Sequence, residues 1–340
     1  MYKTLRNIHS YDYTQKRVLL IGSAWMALEY AKAFQAMGIS DVTVLSRSEA
    51  NARKIADAYA FTPLHGGYAA RLPELAEFDL VVLSLPEHEC ISAIESCVAH
   101  GQKNILVEKP CSLYSERLHA LAARLPEVRV RVAYNRVTYP NFARLQSLIA
   151  AEGGATSCHY LITEIVHGIP FGNNPDAFYA RWGCANTLHV ISMAHALIGM
   201  PEELTTYRSG GFDWHPSGDR FHGAGRTDSG CLFSYQGDWQ SAGRWGIDVM
   251  TPENAYRLVP MEDLFVMRKG TFSWEKVEFD IPYPGVKQGV AEELAVMLEP
   301  SLEAAIPLVT LEQAAVYTRL AEEIFGYESH ETADAVSPQD

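Results

Sequence analysis

Basic residues are scarce in this 340-residue chain: 28 Lys and Arg stand against 41 Asp and Glu, a formal net charge of −13. Nucleic acid and anionic membranes repel so negative a surface, which excludes both as general partners and leaves any anionic ligand to local groups. No apolar run approaches the ~20 residues that span a bilayer. Met1 to Lys16 is polar and tyrosine-rich, without the apolar stretch of a signal peptide, so a cytoplasmic protein is expected. The six cysteines (Cys90, Cys97, Cys111, Cys158, Cys184 and Cys231) form no C-x-x-C pair, as expected of reduced thiols. His159, His167, His195, His215 and His222 lack any spacing that specifies zinc, so no metal is expected.

What is present fits an ordinary globular protein, 48% hydrophobic and 20% charged, long enough for two domains. The chain is organised around Arg17 to Phe34. Arg17-Val18-Leu19-Leu20-Ile21 is an apolar run of the kind buried on both faces of a sheet, and it stops at Gly22. From Trp25 the apolar residues Leu28, Ala31, Phe34 and Met37 recur at helical spacing up to Gly38. Strand, tight turn and helix make the first half of a βαβ unit whose helix start can hold a phosphate. The expected fingerprint is G-x-G-x-x-G/A; the chain offers Gly22-Ser23-Ala24-Trp25-Met26-Ala27, without the second glycine.

The next strand, Val42 to Leu45, ends in Ser46-Arg47-Ser48, with Ser48 placed to cap a helix over Glu49 to Tyr59. An NAD-binding fold puts an acid on the ribose here, and this chain has none. An arginine between two serines suits the 2′-phosphate of NADP instead, so NADP is expected over NAD. Further strands run over Asp79 to Pro86 and Asn104 to Val107. The first ends in Ser84-Leu85-Pro86, followed by His88 at a helix start; the second ends in Glu108-Lys109-Pro110.

These features together resemble the Gfo/Idh/MocA oxidoreductases, of which glucose-fructose oxidoreductase and inositol dehydrogenase are members. Glu108-Lys109-Pro110 is the most specific part of the match, and the resemblance implies a cis Lys109-Pro110 bond. Independently of family, a lysine at the carboxyl end of a parallel strand lies where such sheets bind ligands and can donate to a substrate oxygen. Val128 to Tyr134 closes the first domain and leads into Asn135-Arg136, which the resemblance turns toward cofactor and substrate.

Beyond the helix Phe142 to Ala151 the pattern changes to consecutive strand-like pieces, from Ala155–Val166 to Lys276–Asp280, which implies an antiparallel sheet. The resemblance implies that one face of that sheet mediates a homodimer or homotetramer. Asn186 to Gly199 reads as a helix bearing His189, the family's proton acceptor. The flanking acids of the family are replaced by Ala185 and Ser192, leaving Asn186 and Thr187 to supply hydrogen bonds. Arg181-Trp182 and the aromatic, glycine-rich stretch Phe212 to Arg226 suit a sugar face and a loop that closes over substrate.

The expected architecture is an α/β chain. A polar N-terminal extension (1–16) precedes a doubly wound Rossmann domain (17–135). A substrate-binding and dimerisation α+β domain (136–327) with an open, mainly antiparallel sheet follows, and then a disordered tail (328–340). The coenzyme site comprises Gly22, Ser23, Ala24, Trp25, Met26, Ser46, Arg47, Ser48, Ser84, Leu85, Pro86, His88, Glu108, Lys109 and Arg136. The substrate site comprises Lys109, Asn135, Trp182, Asn186 and His189, with Lys109 and His189 catalytic. The expected reaction is NADP-dependent hydride transfer to or from a carbohydrate-like carbonyl or alcohol, the alternatives being an imine or conjugated-system reductase and a silent NADP-binding sensor.

Overall fold

The computed structural model describes residues 1–330. Contacts divide the chain into two units: Met1–Ser112 with Leu118–Pro140 and Asp280–Ala314, and Leu113–Arg117 with Asn141–Phe279 and the chain from Ala315. The division expected at residue 135 is thus crossed again at Asp280–Ala314, which returns to the first unit. The N-terminal extension packs in that unit through buried Tyr2, Leu5, Ile8 and Tyr13, and Tyr2 accepts the Asp280 N–H at 2.8 Å.

The first unit is built on a seven-stranded sheet. Its parallel strands are β1 (Arg17–Ile21), β2 (Asp41–Ser46), β3 (Thr62–His65), β4 (Leu80–Leu83), β5 (Asn104–Glu108) and β6 (Arg129–Ala133). The spatial order is β6-β5-β4-β1-β2-β3, and a short strand Val309–Thr310 adds antiparallel to β6. Val18 to Leu20, Val81 to Leu83 and Ile105 to Val107 are fully buried, the reason these segments read as unbroken apolar runs. Strand β3 escapes the sequence pattern because it is an edge strand with a proline, Pro63, and no fully buried residue. Helices α1 (Trp25–Ala36), α2 (Glu49–Tyr59) and α3 (Glu87–Ala99) follow β1, β2 and β4.

Strand order reverses at β1, which pairs with β2 on one side and β4 on the other. Two backbone bonds tie the three carboxyl ends together: Gly22 N–H donates to Leu45 O at 2.9 Å, and Ser84 N–H to Ile21 O at 2.8 Å. Such a reversal opens a crevice at the strand ends.

The second unit carries an eight-stranded sheet: β7 (Ser157–Leu161), β8 (Pro201–Ser209), β9 (Arg220–Thr227), β10 (Leu232–Asp238), β11 (Gly246–Met250), β12 (Asn254–Leu258), β13 (Phe265–Arg268) and β14 (Glu275–Lys276). All pairs are antiparallel except β7 with β10. The helix Leu188–Ile198 covers one face, where the Tyr160 hydroxyl meets His195 Nε2 at 3.2 Å. Helix Leu311–Phe325 opens with a capping box, Thr310 and Gln313 exchanging side-chain and backbone bonds at 3.1 and 3.2 Å.

Two expectations are corrected here. The stretch Phe212 to Arg226 is not an open loop, since Arg220 onward forms β9 between β8 and β10. Its glycines serve packing: a Cβ on Gly223 would stand 2.4 Å from the Tyr235 ring. The tail lies, from residue 331, outside the described residues, but Glu328 and Ser329 are held. Arg181 donates to Glu328 O at 2.9 Å, and Ser329 Oγ donates to Glu116 at 2.9 Å.

Candidate functional site

In the first unit a cavity of about 140 Å³ opens at the ends of β1, β2 and β4. Gly22, Ser23 and Ala24 form its floor beside Ser46 and Arg47, and Ser84, Leu85 and Pro86 form the opposite wall. Gly22 is fixed by sterics: at φ 120° a Cβ would stand 2.0 Å from Ser84 O. Ala24 is the N-cap of α1 with φ −78° and ψ −174°, and no side chain caps this helix. Its first-turn N–H groups are therefore left for another acceptor, which an anion at the cavity floor would provide. Ser23 Oγ and Ser46 Oγ lie 3.2 Å apart.

The wall beyond Ser46 includes residues that the motif reading passed over. Gly67 N–H donates to Ser46 O at 3.1 Å and Gly66 N–H to Arg47 O at 3.3 Å, which folds the loop after β3 over the end of β2 and brings Tyr68 to the cavity. Asn51 and Glu89 complete it. The glycine pair was the available signal for that loop. Ser48, by contrast, spends its hydroxyl on the Asn51 N–H and does not line the cavity. Nor do Met26, Trp25 or His88; the Trp25 ring lies on the surface under Lys287 Nζ at 4.8 Å. This uncapped helix start, small-residue floor and cationic rim fit a dinucleotide.

Glu108, Lys109 and Arg136 lie outside that cavity wall. The Lys109–Pro110 peptide is cis, as the resemblance implies. Beside Lys109, the Glu108 carboxylate accepts from Tyr30 at 2.7 Å; burial raises its pKa, opposed by that bond and by Lys109. A second acid, Glu293, comes from the returning helix Val290–Leu298. It is fully buried, and its pKa stands well above normal because of burial, Glu108 and Glu292. Every residue of this helix is buried, so its two acids had to be buried as well; the all-round apolar pattern was the signal. Asn135 uses its amide on Gln288 O at 3.0 Å, and the Arg136 guanidinium lies 5.3 Å from the Tyr139 ring.

In the second unit, the π turn Gly183–Thr187 runs into the helix that carries His189. Such turns mark sites where side chains are re-aimed. Here they aim at Glu164, a buried carboxylate just beyond β7, which accepts from Asn186 Nδ2 at 2.9 Å, Thr187 Oγ1 at 2.5 Å and Trp245 Nε1 at 3.3 Å. Burial raises the Glu164 pKa, and these donors together with Trp182 oppose it. The His189 ring lies 6.1 Å from the Trp245 ring, and Trp182 stacks on Tyr179 at 6.3 Å. Asn186, Thr187, Trp182 and Trp245 thus gather around one acid that periodicity gives no means of finding, with His189 neighbouring Trp245. Ser192, in the place of a family acid, turns back to donate to His189 O at 3.0 Å. Arg181 is an interior strut rather than a ligand arm: it donates to Leu113 O and to Glu322 at 3.0 Å and lies 4.1 Å from the Tyr114 ring.

Among the described residues no group of three or more His, Cys, Asp and Glu is placed to hold a metal ion.

A doubly wound parallel sheet with a phosphate-ready cavity at its switch point defines the dinucleotide-binding Rossmann class. Within that class, residues 16–136 match the Gfo/Idh/MocA family model, described as an oxidoreductase family with an NAD-binding Rossmann fold. No curated protein matches the chain by sequence. Among solved structures it is similar to a levoglucosan dehydrogenase in complex with NADH and levoglucosan, at 16% identity and TM-score 0.74, over 92% of this chain and 96% of that one. It is also similar to an oxidoreductase from Agrobacterium radiobacter in complex with NAD+, L-tartaric acid and magnesium (13%, 0.74, over 92% and 96%). A third is the UDP-N-acetylglucosamine 3-dehydrogenase from Acidithiobacillus ferrooxidans (15%, 0.71, over 92% and 97%). At these identities the likeness is one of fold.

Proposed function

We propose that the chain is an NADP-dependent oxidoreductase that moves a hydride between nicotinamide and a carbohydrate-like carbonyl or alcohol. The observation that carries the coenzyme reading is Arg47: with Ser46 it rims the cavity at the end of β2, where a guanidinium and a hydroxyl match a 2′-phosphate. Gly22, Ser23, Ala24 and the first turn of α1 would hold the pyrophosphate, and Ser84 to Pro86 would flank the opposite side. The coenzyme, when bound, supplies or accepts the hydride. Lys109 is the residue read as donating a hydrogen bond to a substrate oxygen, and His189 as the proton-exchanging base. Trp182, Asn186 and Asn135 contact the substrate, the Asn135 amide being held by Gln288 O. A sugar-like substrate is supported by the sugar-directed names among the similar structures.

Without an acid at position 185 or 192, His189 lacks the family's means of raising its basicity, so ketone reduction is favoured over alcohol oxidation. The protein is read as cytoplasmic, with its six cysteines unpaired. A homodimer or homotetramer through the eight-stranded sheet is supported by Tyr207, Leu232 and Met250, exposed on the face away from the Leu188–Ile198 helix.

Titration with NADPH and NADH, followed by nicotinamide fluorescence, tests the coenzyme; equal or tighter NADH binding overturns the role of Arg47. NADPH oxidation is then screened with keto-sugars, nucleotide-linked sugars and cyclic imines. Lys109→Met should lower turnover on any active substrate by about 100-fold or more while leaving coenzyme affinity within about twofold. Tight NADPH binding without turnover on any of them would replace the enzyme with a sensor.

A further inference from the structure

The coenzyme cavity contains one acid and one base among its lining residues, and they face each other. Arg47 Nη1 lies 3.7 Å from Glu89 Oε1, and the same oxygen lies 3.9 Å from His88 Nε2. Glu89 is the anchored member, its side chain 21% exposed against 83% for Arg47. It comes from the first turn of α3, after β4, whereas the acid of an NAD-binding fold comes from the end of β2. The Tyr68 phenol on the same wall has a raised pKa, through burial and then through Glu89, consistent with a carboxylate charge directed into the cavity.

We propose that Glu89 is the specificity-determining residue of this site: it holds Arg47 and resists a 2′-phosphate, limiting the preference for NADP over NAD. The inference rests on the coenzyme reading above and concerns a residue which that reading leaves idle. The physical reason is charge balance. A 2′-phosphate brings a charge of about −1.5 to −2, and a wall of one paired cation and one anion attracts it less than an unopposed Arg47 would. A 2′-hydroxyl is indifferent to Arg47 and can donate to Glu89. Removing the carboxylate charge therefore moves both coenzymes in the direction that favours NADPH.

The test is the ratio of NADPH to NADH dissociation constants, measured by nicotinamide fluorescence on the full chain. Glu89→Gln should move the ratio toward NADPH by about tenfold, while Glu89→Asp, which keeps the charge, should hold it within about twofold. An unchanged ratio in Glu89→Gln overturns the inference. Arg47→Ala separates the two readings: a ratio that collapses there but ignores Glu89→Gln leaves the coenzyme reading standing and removes Glu89. A ratio indifferent to Arg47→Ala, or no binding of either coenzyme, removes both. One measurement needs no variant. A balanced wall makes the wild-type ratio shift less than about twofold between low and high salt, whereas an unopposed Arg47 makes NADPH lose about tenfold, a result that would overturn the proposal.

Discussion

Glu292 offers a measurable signature of the chain's return to the first unit. It is 2% exposed, and burial pushes its pKa up to about 7, against backbone N–H bonds from Glu292 and Gly289. A carboxyl raised in the folded state contributes stability that is fully present below the unfolded value, about 4.5, and lost as pH rises through about 7. At about 1.4 kcal/mol per unit the loss is about 3 kcal/mol. Glu292→Gln cannot ionise, so it should forgo this loss and stand above wild type at pH 8, after equalisation at pH 5, by up to about 3 kcal/mol. For a unit of this size that is a shift of roughly 6–12 °C in Tm. Calorimetry at several pH values between 5 and 8 reads it, without assuming that both units melt together. Glu108 and Glu293 are also raised, so the variant should keep part of the wild-type slope. In the second unit His195, buried and held near a pKa of about 4, works in the opposite sense: its contribution is present above about 6.5 and lost as pH falls to about 4. If wild type and Glu292→Gln run parallel from pH 5 to 8, the burial argument for this helix is wrong.

Two further substitutions probe the candidate site residues. Glu164→Ala strands the donors of Asn186, Thr187 and Trp245 and should cost about 2–5 kcal/mol in urea unfolding, with Glu164→Gln milder because it keeps acceptor capacity. Gly22→Ala forces a Cβ toward Ser84 O at a φ of 120° and should cost about 2–4 kcal/mol and weaken coenzyme binding, read by thermal melting and fluorescence titration; wild-type behaviour in both would show that β1 and β4 tolerate separation there.

The Rossmann half was legible because its strands are buried on both faces and its helices carry their own stop signals. Strand β1 and helix α2 fall on the bounds that the pattern suggests, and Ser48 caps α2 as its spacing implies. Edge position hid β3, since an edge strand needs no apolar run. In the second unit, Gly223 and Gly225 mimic a loop, and the Tyr235 ring against Gly223, with the Glu203 carbonyl and the Phe233 ring against Gly225, explain why a strand needs glycine there. Arg181 shows the same limit: as a sequence letter it is a candidate ligand arm, whereas Leu113 O, Glu322 and Glu328 O consume its donors in the fold.

The carboxylates follow a common rule. The sequence lacks an acid at the end of β2, and Glu89 arrives from another βα junction; it lacks acids around His189, and Glu164 arrives from beyond β7. Beside Lys109, Glu108 meets Glu293 from a helix more than 180 residues later in the numbering. Local pattern reading works at separations of a few residues, the range over which helix and strand periodicity places side chains on one face. An ionisable group is bound by a different constraint: burying its charge is costly unless donors or a counter-charge surround it, and these can come from anywhere in the chain. Glu164 satisfies that constraint with neutral donors, Glu89 with Arg47, and Glu293 by a pKa raised well above the ordinary carboxylate value, which favours its neutral form. Three different solutions to one desolvation problem explain why the motifs locate the strands and turns but not the acids that act on them.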